Sequence, residues 1–339
     1  MDWSAPSILV TGGASFIGSH LVDALVARGA RRIRVVDDLS SGRLENIQDH
    51  VDQGRVDFTR ADLLDPGVPG ASVRGIDLVF HLAALHGGRG YVDYHQAACA
   101  RNLALDGLVL KASHAAGVEK LVFASSGCVY PNYRQQDSAE ELYLTEDLAG
   151  PPYDADNLYG WAKLMMEMAL RAYHEELGFK SASCRLFTVY GERGVENHAI
   201  MAMIARAFIG QDPFEVWGDG TQVRNWTYVG DIVEGLVLSA ERIEDATAVN
   251  LGTEERIRVL DAAREILALT GRAAEFELRP DMPTGPVNRV ASNRLAAELL
   301  GWTPRTPFRE GLHRTVEWYF STKDRDEVRA GLEGMLVGR

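Results

Sequence analysis

Thr11-Gly12-Gly13-Ala14-Ser15-Phe16-Ile17-Gly18 follows the short apolar run 7–10 and opens a stretch of helical pattern, 17–28. Glycines at such a junction let the backbone approach a pyrophosphate at the helix N-terminus, where unpaired N–H groups and the helix dipole favour an anion. About 20 residues later the next β-branched run, 33–37, ends in Asp37. A carboxylate there accepts from adenosine ribose hydroxyls and repels a 2′-phosphate. Strand, glycine turn, helix and acid together predict a dinucleotide site for NAD rather than NADP. Gly12, Ser15, Phe16, Ile17, Gly18 and Asp37 are its predicted contacts. Ser15 stands where the motif normally has its middle glycine.

Outward from this string, further β-branched runs fall at 77–82, 121–125 and 183–189, and helical stretches at 96–116 and 157–177. Runs apolar on both faces belong to a parallel sheet covered by helices. The fold class is therefore α/β, a Rossmann-type doubly wound parallel sheet. After Tyr190 the rhythm is lost until a helical pattern at 230–240 and a short strand at 248–251, and a mostly helical end follows. The expected division is a Rossmann domain of residues 1–189 and 228–252 and a smaller, discontinuous domain of residues 190–227 and 253–339.

Composition removes several function classes. With 48 acidic against 35 basic residues the net charge is −13, unsuited to the basic face that displaces counterions from nucleic acid. Any phosphate must be held by a few placed arginines and backbone amides. Cys99, Cys128 and Cys184 are too few and scattered for a disulfide framework or a zinc site, so no metal is expected. No apolar run approaches membrane-span length, and the expectation is a cytoplasmic protein without membrane or nucleic-acid partners.

Tyr159-Gly160-Trp161-Ala162-Lys163 lies within the stretch 157–177, and a spacing of four puts Tyr159 and Lys163 on one helix face. A phenol beside an ammonium and a cationic nicotinamide ionises more readily, which makes Tyr159 a base for a substrate hydroxyl. The run 121–125 leads into Ser126, at a strand carboxyl end where open sheets place ligands. Ser126 is expected to share that hydroxyl.

TGGASFIG, Asp37, FHLAA, SSGCVYP, YGWAK and WGDGTQVRNWTYVGD, in this order, resemble the extended short-chain dehydrogenase/reductase superfamily of nucleotide-sugar epimerases, dehydratases and decarboxylases. Within it the chain looks most like the GDP-mannose 3,5-epimerases, through His86-Gly87-Gly88-Arg89-Gly90-Tyr91 and Gly127-Cys128-Val129-Tyr130-Pro131. The resemblance implies Ser126, Tyr159 and Lys163 as redox residues and Cys128 as one acid/base at the sugar ring. His198 stands where those epimerases have a second, a lysine. It further implies Asp62, Leu63, Leu82, Ala83 and Ala84 at the cofactor. Gly88, Arg89, Gly90, Thr188, Arg224 and Arg289 would meet a nucleoside diphosphate hexose, GDP-mannose first. Thr188 replaces a usual asparagine and Asn225 a frequent aspartate.

The reaction expected from this resemblance is transient oxidation at C4, proton exchange at C3 or C5 of the resulting ketone, and re-reduction. Dehydratases of the family carry Asp-Glu at positions 127–128 and decarboxylases usually keep the Glu, so Gly127-Cys128 argues against both. A C4 epimerase, which leaves position 128 idle, stays open, as does an NAD-binding regulatory protein without turnover. Trp161, Met165, Met168 and Ala172 add a second apolar stripe to the helical stretch, so a homodimer is expected, burial under the chain's own C-terminal segment being the alternative.

Overall fold

The computed structural model describes residues 1–337. Seven parallel strands form its main sheet: β1 (Ser7–Thr11), β2 (Arg32–Asp37), β3 (Val56–Arg60), β4 (Leu78–His81), β5 (Lys120–Ser126), β6 (Lys180–Leu186) and β7 (Asp245–Leu251). Their order is β7-β6-β5-β4-β1-β2-β3. Ile8, Leu9 and Val10 of β1 have no exposed surface, as a central strand with helices on both faces requires. Chain direction across the sheet reverses between β1 and β4, and the carboxyl ends there open a crevice.

Three elements differ from the sequence expectation. β3 was not anticipated because Val-Asp-Phe-Thr-Arg has no apolar run; it is an edge strand paired with β2 alone. The helix Ala199–Ile209 was hidden inside the stretch read as irregular. Its sequence, Ala-Ile-Met-Ala-Met-Ile-Ala-Arg-Ala-Phe-Ile, is apolar nearly all round, and residues 200–208 are buried, so no polar face marks a helical period. The stretch 96–116 is two helices, Gln96–Ala100 and Asn102–Ala115; at the junction the Asn102 amide exchanges hydrogen bonds with the Leu85 backbone.

Two cores flank the sheet, and a third hydrophobic cluster draws on residues 190–228 and 257–336. The helix Asn157–Leu177 is fixed to the sheet by polar contacts: Arg185 on β6 pairs with Glu167 at 2.8 Å, and Ser125 on β5 donates to Glu167 at 2.5 Å. Breaking a buried ion pair of this kind costs ~3–5 kcal/mol. On the outer side of the same helix Trp161 and Met165 remain exposed, as do Leu103 and Leu108 of the adjacent helix; the C-terminal segment does not cover them. No helix among the described residues is long and apolar enough to cross a membrane.

Candidate active site

At the crevice the glycines are fixed by their neighbours. A Cβ on Gly12 would stand 2.9 Å from the Ala83 backbone nitrogen, and one on Gly18 would collide with the Gly12 carbonyl oxygen. Ser15 is accommodated because its hydroxyl turns back to donate to the Gly12 carbonyl at 2.5 Å. Asp37 is buried at the end of β2 and accepts from the Ala14 and Leu39 amides at 3.0 and 2.9 Å. A cavity of about 490 Å³ is lined by Gly12, Asp37, Asp62, Leu63 and Ala83, among others. It joins the glycine turn to an acid suited to ribose hydroxyls, so the residues present fit an adenosine dinucleotide.

A larger cleft, about 2070 Å³ and open to solvent, begins beside it at Phe16, Ile17 and Gly18 and shares Ser15, Leu82 and Ala84 with the smaller cavity. Ser126, Cys128, Tyr159 and Lys163 lie in its wall. Burial pushes the Tyr159 phenol well up, Cys128 and Asp106 add to that, and a hydrogen bond to Ser126 works against it. Lys163 lies 5.8 Å from the Tyr159 ring and 4.4 Å from the Phe123 ring, and burial lowers its pKa although Asp106 opposes. Without cofactor, burial and the neighbouring acids hold the phenol protonated, and the expected easier ionisation of the phenol is not a property of these side chains alone.

Cys128 follows the end of β5 in a one-turn 3₁₀ helix capped by Ser126, whose hydroxyl accepts from the Cys128 amide at 3.1 Å. The turn is wedged against the helix Asn157–Leu177: Asp156 donates its amide to the Cys128 carbonyl at 2.8 Å, and a Cβ on Gly160 would collide with that carbonyl. Gly127 is less tightly confined, since a Cβ there would lie 3.1 Å from the Phe187 ring.

Three arginines surround this turn. Arg289 donates to Cys128 Sγ at 3.2 Å, to Gln135 at 2.8 Å and to Asp156 at 3.0 Å. Arg89 reaches the same Asp156 oxygen at 2.7 Å and also pairs with Asp93. Arg224 donates to the carbonyls of Val223 and Thr284, both at 2.8 Å. Burial and the charges of Arg289 and Arg89 press Arg224 down to about 9. Arg89 and Arg289 are paired with Asp156, whereas Arg224 has only backbone carbonyls as partners and is the cation an anion in the cleft would relieve.

His198 precedes the helix Ala199–Ile209, with its ring 6.0 Å from that of His86, which lies 6.1 Å from the Tyr159 ring. Burial pushes His198 down to about 4. The ring is therefore neutral at pH 7, with one ring nitrogen free to accept a proton. Thr188 and Gly88 line the cleft, whereas Gly90 is buried in the helix Arg89–Tyr94 and does not. Asn225 is wholly buried, donating to the Thr253 carbonyl, and does not reach the cleft either. Sequence reasoning missed Asp156, which joins two of the arginines, and the buried pair His81–Asp106 at 3.1 Å, whose carboxylate acts on both Tyr159 and Lys163. Their only sequence signal was a place beside motif residues.

The profile of the NAD dependent epimerase/dehydratase family matches residues 8–252. The chain belongs to that family. Its cofactor is NAD, for which the crevice is shaped. GDP-mannose 3,5-epimerase 1 of Oryza sativa subsp. japonica is 30% identical over 316 residues, covering 92% of this chain and 81% of the relative. UDP-glucuronic acid decarboxylase 4 of Arabidopsis thaliana is 29% identical, covering 91% and 68%. The crystal structure of a Thermus thermophilus UDP-glucose 4-epimerase in complex with NAD superposes with a TM-score of 0.82 at 29% identity, covering 94% of this chain and all of that one. Such relatives establish an enzyme of the family acting on nucleotide sugars and leave its reaction to be read from the site.

Proposed function

We propose that the chain is a nucleotide-sugar epimerase that oxidises C4 of a nucleoside diphosphate hexose, exchanges a proton at C3 or C5, and reduces C4 again. The observation that carries this reading is the reacting end of the cleft: it offers a thiol, Cys128, and no carboxylate. Expelling a hydroxyl calls for both an acid and a base, and a carboxylate pair is how dehydratases meet that need. Moving a proton beside a ketone needs only modest bases, because the carbonyl stabilises the resulting enolate. GDP-mannose is the first candidate substrate, by similarity to the rice enzyme.

In this reading Tyr159 takes the proton of the C4 hydroxyl, with Ser126 holding the oxygen and Lys163 the cofactor ribose. NAD, when bound, accepts and returns the C4 hydride and contributes the positive charge that the phenolate requires. The phenol found without cofactor is the form that returns the proton to O4. His198, neutral and accepting, takes the ring proton on one face, and the Cys128 thiol returns a proton to the other face of the enolate, leaving an imidazolium and a thiolate that exchange protons with solvent before the next turnover. Arg224 and Arg289 neutralise the diphosphate, residues 190–227 and 253–339 forming the domain that binds the nucleotide. The exposed face carrying Trp161 and Met165 supports a homodimer.

The test is incubation with NAD and a panel of nucleotide hexoses in heavy water, followed by mass spectrometry and NMR of the sugar ring. Deuterium at C3 or C5 is expected. Cys128→Ser should cut it about 100-fold or more while transient NAD reduction persists. Interconversion of C4 epimers with no ring deuterium would establish a C4 epimerase instead.

A further inference from the structure

We propose that Glu215 selects the base of the nucleotide sugar, and that the base is guanine. Among the described residues lining the large cleft, Glu215 alone carries a carboxylate, while Arg89, Lys163, Arg206, Arg224 and Arg289 are cations. Paired with Arg206 and Arg279, this carboxylate is held without opposing a diphosphate and presents acceptor oxygens to the part of the ligand beside it.

A chain of contacts fixes where along the cleft this carboxylate lies. Cys128 touches Arg289, and Arg289 sits opposite Arg224 in a short parallel strand pair. Arg224 donates to the Thr284 carbonyl, and Thr284 and Gln222 both crowd Gly218. Gly218 follows Trp217, whose indole donates to Glu215 at 2.7 Å. The succession runs from thiol through arginines to carboxylate. A nucleotide sugar has the same succession, from hexose through diphosphate to ribose and base. With the hexose at Cys128 and Tyr159, the base comes to Glu215.

The surroundings hold the carboxylate and leave it acceptor capacity. Oε1 accepts from Arg206 at 3.0 Å and from Trp217, while Oε2 has only Arg279 at 3.3 Å. A carboxylate offers about four acceptor positions. Nearby in the same wall, Arg206 Nε, Gln222 Oε1 and Trp226 Nε1 are buried with no partner among the described residues. Buried groups left unpaired are costly, and a polar ligand supplies what they lack.

Guanine presents two adjacent donors, the ring N1–H and the 2-amino group, which match the two oxygens of a carboxylate. Uracil and thymine offer one imide N–H between two carbonyl oxygens, which a carboxylate repels. Adenine has an amino group beside a ring acceptor. Hypoxanthine keeps the N1–H and lacks the 2-amino group, so it isolates the second contact.

The inference rests on the nucleotide-sugar reading, and the experiment separates the two. Dissociation constants of GDP, IDP, UDP and ADP are measured by calorimetry on the NAD-loaded protein. GDP should bind at least about 10-fold more tightly than IDP and about 100-fold more tightly than UDP, because a site built around hydrogen bonds rejects an analogue lacking them. In Glu215→Gln the GDP-to-IDP ratio should fall to within about threefold, and UDP should bind more tightly than to the native protein because the repulsion of its carbonyl oxygens is removed. UDP binding as tightly as GDP, or a ratio unchanged in the variant, overturns the role of Glu215. If none of the four binds, the nucleotide-sugar reading falls and the base assignment with it. Should the variant not fold, the order of affinities in the native protein decides alone.

Discussion

The two walls of the cleft are built in different ways. One is the carboxyl edge of the sheet with the helix Asn157–Leu177, where short local strings place backbone and side chains together: 11–18, 126–128 and 159–163. The other is assembled from residues far apart in sequence. Arg289 meets Cys128 across 161 positions and Asp156 across 133. The first wall gains its geometry from strand ends and helix pitch; the second depends on which distant side chains meet. In the proposed reading wall one carries the redox groups and the thiol that sets the reaction, and wall two sets which molecule receives it.

That division can be broken most sharply at Tyr159. Tyr159→Phe, which removes the phenolic proton carrier, should lower kcat by about 10³-fold, within the range for a general acid–base group, and leave KM nearly unchanged. Steady-state kinetics check this, and a variant keeping a tenth of native kcat would move the proton transfer to another group. The complementary change, Arg224→Ala, should raise KM or Kd for the nucleotide sugar by about 10- to 100-fold, the worth of one charged hydrogen bond, with kcat hardly altered. An equal fall in kcat would show that the arginine wall takes part in the chemistry and the division is false.

His198, at the seam of the walls, gives the smallest effect. Its folded pKa of about 4 lies below the unfolded value of about 6.5. Between these values the unfolded chain binds a proton that the folded one refuses, so the histidine's contribution to stability is present above pH 6.5 and is lost as pH falls towards 4. His198→Asn should therefore lose less Tm between pH 7 and pH 5 than the native chain, by on the order of 2–3 °C. Parallel melting curves for the two proteins would mean that solvent reaches the ring.

The sequence made the first wall legible because a glycine turn, an acid at a strand end and a Tyr-Lys spacing each state a local geometry. Gly18 needs its lack of a Cβ whatever the rest of the chain does. The second wall was legible only through resemblance, as with Arg224 and Arg289. Resemblance left Arg289 as a diphosphate ligand and gave no sign that it also touches the thiol. Glu215 drew no notice in the sequence: a lone acid in Phe-Glu-Val-Trp looks like the outward residue of a strand until it is seen facing the cleft. The burial that pushes His198 down to about 4 had no sign in the sequence, where the helix that follows it was itself concealed.

The confinement of Gly127 by Phe187 bears on how this scaffold exchanges one trade for another. Acquiring the acidic pair of a dehydratase means placing a side chain at 127, where it presses on an aromatic ring that is itself buried against Tyr130. A side chain at 127 asks the Phe187 ring to give by a few tenths of an ångström, so the fit of an acidic pair on this scaffold turns on how far one interior ring can shift.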